Sequence, residues 1–288
     1  MTDTLDVERY RPRLFGIAYR MLGDVAEAQD LVQETFLRWH QADRGSVAAP
    51  EGWLVAVVSR LAIDRLRRAA TERAAYHGPW LPEPIATDAA APDYRAELAS
   101  DLSMALLVLL ERLGPEERAA FLLRDVFDAD YETIAQAVGR SAPAVRQMVH
   151  RARERVRSDR VRHAVSAETH ERLLGRFLDA LAADDETGLL AILAPDATFT
   201  SDGGGRVPAA RKELFGGPRI ARALLAIERK YGPRETHALR TVNGEPAIVT
   251  TVNGQIAYVT SVAIDGDRIA AFYRVLNPEK LSALNGDL

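Results

Sequence analysis

YETIAQAVGRSAPAVRQMVHRARERVR, residues Tyr131–Arg157, is the stretch on which the reading of this chain turns. Its apolar spacing predicts a short helix over Tyr131–Val138, stopped by Gly139 in the left-handed conformation that glycine adopts at low cost. Ser141 then suits the N-cap of a longer helix running to about Arg157, with Pro143 tolerated in its first turn. Residues 140–162 hold eight arginines against two acids, so the second helix is strongly basic. Helix, glycine-containing turn and basic helix together make the helix-turn-helix pattern. In that motif the second helix enters the major groove, its N-terminal half meets base edges, and flanking cations hold phosphates. Ser141, Pro143, Arg146, Gln147 and His150 then face the groove, with Arg146 matched to a guanine edge and Gln147 to an adenine. Arg151, Arg153, Arg155 and Arg157 read as phosphate contacts. The alternative is a solvated basic helix packed through Val145, Met148, Val149 and Val156; turn chemistry and charge both favour DNA.

Upstream, the periodicity is helical from Leu5 to about Ala75. Asp24 suits the N-cap of a helix whose apolar positions Ala28, Leu31, Val32, Thr35, Phe36 and Trp39 recur at three- and four-residue steps. Residues 24–34 of this helix hold Asp24, Glu27, Asp30 and Glu34 and no base, a solvated acidic face or a docking surface for a basic protein. After a turn-rich loop comes a helix expected over Trp53–Arg68, with an apolar stripe of Trp53, Val57, Leu61 and Leu66. Arg60, Arg65, Arg67 and Arg68 crowd its second half, as on a helix that lies along phosphates. Trp53 by spacing alone belongs to the core, with stacking on an exposed base as the alternative.

Charge and composition set the limits. The 288 residues include no cysteine and carry a formal net charge of -4, which excludes disulfide scaffolds, thiolate metal sites and cysteine nucleophiles. No apolar run reaches the roughly 20 residues that span a bilayer, and MTDTLDVERY lacks the features of a signal peptide. A soluble cytoplasmic protein without membrane contact is expected. The modest charge hides blocks of opposite sign, so it does not argue against DNA. The six histidines are scattered and none pairs with acids at ligand spacing, so no metal and no cofactor are expected.

Between Tyr76 and Pro92, prolines 79, 82, 84 and 92 suppress any helical period and read as a partly extended linker. Helices are expected to resume over Asp93–Leu113, break at Gly114-Pro115 and continue to about Val126. Beyond Val165 the composition changes. Helices are expected at Ser166–Ala183, Glu186–Leu193 and Arg219–Tyr231, with a strand near Ala197–Ser201. The tail alternates as strands punctuated by Asn243-Gly244, Asn253-Gly254 and Asp265-Gly266, dipeptides suited to type I′ hairpin turns. The last unit therefore reads as α+β with an antiparallel sheet.

These signals coincide with one family. Leu22-Gly23-Asp24-Val25-Ala26-Glu27-Ala28-Gln29-Asp30-Leu31-Val32-Gln33-Glu34-Thr35-Phe36-Leu37-Arg38-Trp39 resembles region 2.2 of the bacterial extracytoplasmic-function (ECF) sigma factors. The segment from Trp53-Leu54 to Ala62-Ile63-Asp64-Arg65-Leu66-Arg67-Arg68 is similar to the part that melts and reads the −10 element. Tyr131-Glu132-Thr133-Ile134-Ala135 with Ser141–Arg155 resembles the −35 reader, region 4.2. The last 120 or so residues resemble the SnoaL-like, NTF2-like fold, a cone of helices against a curved sheet around a pocket. Three motifs, Gly78-Pro79-Trp80-Leu81-Pro82-Glu83-Pro84, Asp202-Gly203-Gly204-Gly205-Arg206 and Asn277-Pro278-Glu279-Lys280-Leu281, are similar to signatures of the sigma-J-like subfamily. That subfamily often has Lys after the glycines; Arg206 keeps the charge. By spacing alone, the glycine run also reads as a hairpin or bulge.

The resemblance implies two all-α domains, region 2 (1–75) and helix-turn-helix region 4 (96–160), joined by a Pro-rich linker (76–95) and followed by an α+β SnoaL-like regulatory domain (165–288). It implies that Asp24, Glu27, Asp30, Gln33 and Glu34 meet core RNA polymerase at the β′ clamp helices, with the β flap as a further polymerase contact. Trp53, Arg60, Asp64, Arg67 and Arg68 are implied at the −10 strand, and Ser141, Pro143, Arg146, Gln147, His150 and Arg151 at the −35 duplex. Trp80, Leu81, Pro82, Asp202, Gly203, Gly204, Gly205, Arg206, Asn277, Pro278, Glu279, Lys280 and Leu281 are implied as interdomain regulatory contacts, replacing a separate anti-sigma factor. Two rivals remain. One is an ordinary helix-turn-helix regulator with a small-molecule pocket. The other is an NTF2-like enzyme domain, with Asp196, Asp202, His237 and Tyr258 as candidates by residue type.

Overall fold

The computed structural model describes residues 7–43, 45, 47–87, 102–159 and 165–284, with residues 157–159 and 283 through the backbone only. The described residues form two compact units, one of residues 7–74 and 107–158, the other including 75–87 and 165–284.

The first unit is helical. Helix α1 (Arg11–Leu22) ends at Gly23, whose φ of 68° places it in the left-handed region and lets its N–H reach the Tyr19 carbonyl. Asp24 immediately caps α2 (Val25–Gln41), its side chain accepting from the Glu27 N–H. Stop and start are thus adjacent residues, and α1 and α2 are forced into a tight corner. Helix α3 (Pro50–Ala74) is longer at both ends than the Trp53–Arg68 expectation. Pro50 fits the first turn, where its missing N–H would have had no helical partner.

Of the helix expected over Asp93–Leu113, residues 93–101 lie outside the described part, and the described helix is α4 (Met104–Leu110). Helix α5 (Pro115–Asp125) follows the Gly114-Pro115 break. Asp130 caps α6 (Tyr131–Val138) through the Thr133 N–H, and Gly139, at φ 67°, ends it. Helix α7 (Ala142–Asp159) completes the helix-turn-helix.

Helix α1 packs on α2, α3 and α5, and α3 packs on α5 and α6, so the two helical segments share one core. Two arginines lie within it. Arg118 is 2% exposed and donates to the Met21 carbonyl at 2.6 Å and to Glu111 at 2.8 Å. Arg20, equally buried, lies over the Phe127 ring at 5.3 Å. A buried guanidinium is tolerated only with such partners, so these pairs specify how the two segments meet.

The second unit carries α8 (Ala167–Ala182), α9 (Glu186–Ile192) and α10 (Gly217–Tyr231). Its strands are β1 (Leu193–Asp202), β2 (Leu214–Phe215), β3 (Glu235–Val242), β4 (Glu245–Val252), β5 (Gln255–Asp265) and β6 (Arg268–Val275). They form one sheet in the order β2-β1-β6-β5-β4-β3. The expected antiparallel sheet is corrected to a mixed one, because β1 runs parallel to β6. The chain leaves β1 through α10 before the β3–β6 meander begins, so no hairpin dictates the direction of that pair.

Asn243-Gly244 and Asn253-Gly254 both have positive φ at each residue, the type I′ pattern. At the third turn the loop residues are Gly266-Asp267, since Asp265 pairs with Arg268. Only Gly266 has positive φ there, which fits a type II′ turn and corrects the expected Asp265-Gly266 pair.

Leu173, Leu174 and Phe177 of α8 and Ile220 and Leu224 of α10 bury against Phe199, Val262 and Phe272 of the sheet. Phe272 lies 5.2 Å from Phe177 and 6.0 Å from Phe199, ring centre to ring centre. Helices therefore cover one face of the sheet around a shared core, the architecture expected for the cone.

Candidate nucleic-acid interface and linker clasp

On α7, Val145, Val149, Ala152 and Val156 are buried, at the three- and four-residue steps of one helix face. Ser141, Pro143, Arg146, Gln147, His150 and Arg151 are exposed, on the remaining surface of the same element. The Val145 N–H donates to the Ser141 carbonyl, which places Ser141 at the helix start. Arg146 rests over the Tyr131 ring at 5.0 Å, and His150 lies 3.6 Å from Glu154. The downstream cations have protein partners: Arg153 forks onto Asp125, with its Nε at 2.9 Å, and Arg155 reaches Glu117 at 2.6 Å. Arg151 stands 3.8 Å from the same Glu117. Within this unit Arg153 and Arg155 tie α7 to α5, beyond the phosphate role that spacing suggested. The Arg157 side chain lies outside the described part.

Trp53 is half-buried and meets the Trp39 ring edge-on at 5.3 Å. Two of the −10 candidates on α3, Arg60 and Arg67, reach the second helical segment. Arg60 donates from Nε and Nη2 to the Gln136 carbonyl of α6, at 3.1 and 2.7 Å. Arg67 pairs with Asp64 at 3.1 Å and also with Glu116 of α5. Arg68 is exposed and has no ion pair among the described residues. Sequence periodicity carries no hint of these contacts, because the partners lie 76 and 49 residues away.

On the acidic helix α2, Asp24 is occupied by its cap and Glu27 by Arg65 of α3 at 2.8 Å. Burial raises the Glu27 carboxyl above its ordinary value despite that arginine. Glu34 pairs with Arg38 at 2.7 Å. Asp30 and Gln33 are exposed, and so is Leu37, at 61%. Asp30, Gln33 and Leu37 follow at helical steps on one face. The sequence reading passed over Leu37; its signal is a leucine that falls off the apolar stripe.

The three motifs of the second unit come together at Asp202, which is fully buried. Its Oδ1 accepts from the Tyr76 hydroxyl at 2.7 Å and the Gly204 N–H at 3.0 Å. Its Oδ2 accepts from the Leu81 N–H at 2.9 Å and Lys280 Nζ at 2.7 Å. Lys280 also donates to the Leu81 carbonyl at 2.6 Å and lies over the Trp80 ring at 4.2 Å and the Tyr76 ring at 5.0 Å. Asn277 donates from Nδ2 to the Tyr76 hydroxyl at 3.0 Å and accepts from the Glu279 N–H at 3.1 Å. Arg206 pairs with Glu279 at 2.7 Å across an exposed surface. Gly204, at φ 58°, comes so close to Asn277 that a Cβ would sit 2.4 Å from its Nδ2. Gly205, at φ 70°, backs onto His77. Only glycine satisfies both the conformation and the closeness. Leu81 and Pro82 are buried, Leu281 is buried below the clasp, and Pro278 opens the short turn that presents Lys280. Gly203 contributes its carbonyl to the Arg206 N–H.

A second anchor was missed from sequence. Ile85 and Asn243 exchange two hydrogen bonds, the Ile85 N–H to Asn243 Oδ1 at 3.1 Å and the Asn243 N–H to the Ile85 carbonyl at 2.9 Å. The Thr87 N–H reaches the Thr241 carbonyl at 3.0 Å. Asn243 reads as a turn residue in sequence and does that work, yet its side chain also holds the linker. Tyr76 was likewise missed. Burial and the Asp202 carboxylate raise its hydroxyl above the ordinary tyrosine value.

Within the second unit, a cavity of about 320 Å³ is lined by Phe199, Leu214, Ile220, Leu224, Ile227 and further apolar residues, with Ser201, Tyr231, Glu235, Tyr258 and Arg274 as its polar groups. Asp196 is exposed and Asp202 is consumed by the clasp, so the four residues considered for catalysis do not converge. Tyr258 donates to Glu235 at 2.6 Å, and burial pushes its hydroxyl up to about 12. His237 contacts Thr250 Oγ1 at 2.9 Å. The expectation that no histidine joins acids is corrected in space: Glu228, Glu235 and His237 gather within 4.8 Å. Strand alternation puts Glu235 and His237 on one face of β3, and α10 brings Glu228 to them. Tyr258 and Thr250 already partner this group through Glu235 and His237.

No described helix is long and apolar enough to cross a membrane. Residues 7–72 match the family Sigma-70 region 2, and residues 103–156 match Sigma-70, region 4. The ECF RNA polymerase sigma factor SigJ of Mycobacterium tuberculosis is 37% identical over 97% of this chain and 93% of its own length. The probable ECF RNA polymerase sigma factor SigI of the same species is 32% identical, covering 97% of this chain and 94% of its own. The crystal structure of M. tuberculosis extracytoplasmic function sigma factor SigJ aligns with a TM-score of 0.80 at 34% identity, over 97% of this chain and 98% of that one. The chain belongs to the extracytoplasmic-function sigma factors, which are not enzymes but bind core RNA polymerase and promoter DNA to direct promoter-specific transcription initiation.

Proposed function

We propose that this sigma factor regulates itself, with its C-terminal domain holding the linker between regions 2 and 4 and the closed helical unit as its idle form. The observation that carries the reading is the clasp around Asp202, in which Lys280, Asn277 and Gly204 grip Tyr76 and Leu81 of the linker. A linker pinned there and again at Asn243 has lost the freedom that two separating DNA-binding regions require. In the closed unit Arg60 and Arg67, our −10 candidates, spend their hydrogen bonds on region 4. Opening frees them for the unpaired strand, with Trp53, Asp64 and Arg68 beside them. Core polymerase supplies the energy of opening by engaging Asp30, Gln33 and Leu37 of α2 at the β′ clamp helices and region 4 at the β flap. Asp24, Glu27 and Glu34 support that face by capping and pairing. The −35 duplex then takes Arg146, Gln147 and neighbouring groups of α7.

On this reading the factor works in the cytoplasm without a separate anti-sigma factor, and a small ligand in the C-terminal cavity is a further partner. The test is transcription in vitro with core polymerase at limiting factor. Lys280→Ala and Glu116→Lys, which loosen the clasp and the closed unit respectively, are expected to raise the initial rate severalfold. Rates equal to the parent protein for both variants would refute self-inhibition.

A further inference from the structure

Arg274 is the residue that neither the fold nor the initiation mechanism uses. It stands on β6, opposite Thr260 of β5 and Ser201 of β1, and is 6% exposed. Its Nε donates to Thr260 Oγ1 at 3.0 Å. Its guanidinium lies 4.5 Å from the Tyr258 ring centre and 5.3 Å from that of Phe199. Among the described residues no carboxylate forms an ion pair with it, and its terminal nitrogens make no hydrogen bond. Glu228 and Glu235 act on it only from longer range, and the Tyr258 hydroxyl already occupies Glu235.

A cation stripped of water in an apolar wall is costly unless an anion completes it. Aromatic faces offset part of that cost. What remains is a planar pair of donors on a residue that lines a cavity whose apolar walls include Val207, Pro208, Leu214, Ile220, Leu224 and Leu276, with Ser201, Tyr231, Tyr258 and the Tyr258-bonded Glu235 as its other polar groups. Its volume of about 320 Å³ lies within the range of small-molecule sites.

We propose that this cavity binds a small monocarboxylic acid with an apolar body, its carboxylate on the Arg274 guanidinium and its chain against the aliphatic wall. The two-pronged geometry of arginine matches a carboxylate, and the dry surroundings strengthen the pair. The site also touches the clasp. Ser201 and Leu276 line the cavity, and their chain neighbours Asp202 and Asn277 grip the linker; the Leu276 N–H itself donates to the Asp202 carbonyl at 2.7 Å. An occupied cavity braces that strand end and tightens the clasp. The inference deepens the ligand reading above, but its test reads binding without polymerase, so its failure leaves self-regulation of initiation standing.

The experiment measures the full-length protein with octanoate, 1-octanol and octylamine as probes, by thermal shift and calorimetry. Octanoate is expected to stabilise the protein by several degrees and to bind at least about tenfold more tightly than either analogue. Arg274→Gln should erase that preference. Ala223→Phe, which fills the cavity from α10 and leaves Arg274 in place, should abolish binding of all three. Saturating octanoate should slow hydrogen exchange at the Leu81 amide. Equal binding of octanoate and octanol, or an octanoate affinity unchanged in both variants, would overturn the carboxylate site. Preference for octylamine would assign the polar end to Glu228 and Glu235 instead. Leu81 exchange unaltered by bound octanoate would refute the link to the clasp.

Discussion

Lys280 Nζ lies 2.7 Å from Oδ2 of Asp202, a carboxylate with no exposed surface, although 78 residues separate them in the chain. The lysine simultaneously caps the Leu81 carbonyl, so one ammonium neutralises the buried acid and fixes the linker. Removing one partner of such a pair leaves an uncompensated buried charge.

Lys280→Ala is therefore expected to destabilise the second unit by about 3 kcal/mol in urea denaturation. The double variant Lys280→Met with Asp202→Asn should recover part of that loss, because no charge is then stranded. A double variant no more stable than Lys280→Ala would show that the acid is held by Tyr76 and the two N–H donors alone.

Gly204→Ala and Gly254→Ala separate backbone strain from collision. Both glycines have positive φ, 58° and 78°, but a Cβ at Gly254 meets nothing within 4 Å. Gly254→Ala should cost about 1 kcal/mol. Gly204→Ala must also displace Asn277, which is held on both sides of its amide. It should lower the melting temperature distinctly more. Equal shifts would mean that Asn277 moves aside freely.

His170 titrates against stability in the acid direction. It is 4% exposed, its Nε2 has no hydrogen-bond partner among the described residues, and burial pushes its pKa down from 6.5 to about 4. The unfolded chain binds a proton between those values while the folded chain does not. Stability is thus complete above about pH 6.5 and falls as the pH drops toward 4, by at most about 3 kcal/mol. His170→Leu should flatten that dependence in denaturation midpoints measured from pH 7.5 to 4.5. A slope identical to the parent protein would remove His170 as its source.

Gln147 and Arg151 should differ in kind. Gln147→Ala is expected to relax discrimination at one −35 base pair by about 1–3 kcal/mol in holoenzyme binding. Arg151→Ala should weaken all promoters alike and reduce the salt slope by about 1. Uniform weakening by Gln147→Ala would place that residue on the backbone instead of a base edge.

Leu37→Asp should lower affinity for core polymerase while leaving the melting temperature within about a degree. The residue is 61% exposed and adds nothing to the core of the unit. A large loss of stability with unaltered polymerase affinity would contradict its assignment to the docking face.

What was legible in advance was local. Asp24 and Asp130 as caps, Gly23 and Gly139 as stops, and the buried stripe of Val145, Val149 and Val156 all follow from interactions within a few residues. The same holds for the Asn-Gly turns of the sheet. The DGGGR, NPEKL and GPWLPEP motifs were visible as strings, though nothing in their composition says that Asp202 faces Leu81. Leu37, Tyr76 and Asn243 were passed over because each has an ordinary local role.

By itself, the amino-acid sequence determined the helices, their ends, the basic recognition helix, the hairpins and the family, since each rests on spacing, cap chemistry or short motifs. Only the tertiary structure decided that β1 runs parallel to β6, that Arg60 and Arg67 meet region 4, that Lys280 closes on Asp202, and that Arg274 lines a cavity with no ion pair among the described residues. The physical reason is the same in each case. Side-chain pairing across dozens of residues depends on which surfaces the whole chain buries together, and no local period records that choice.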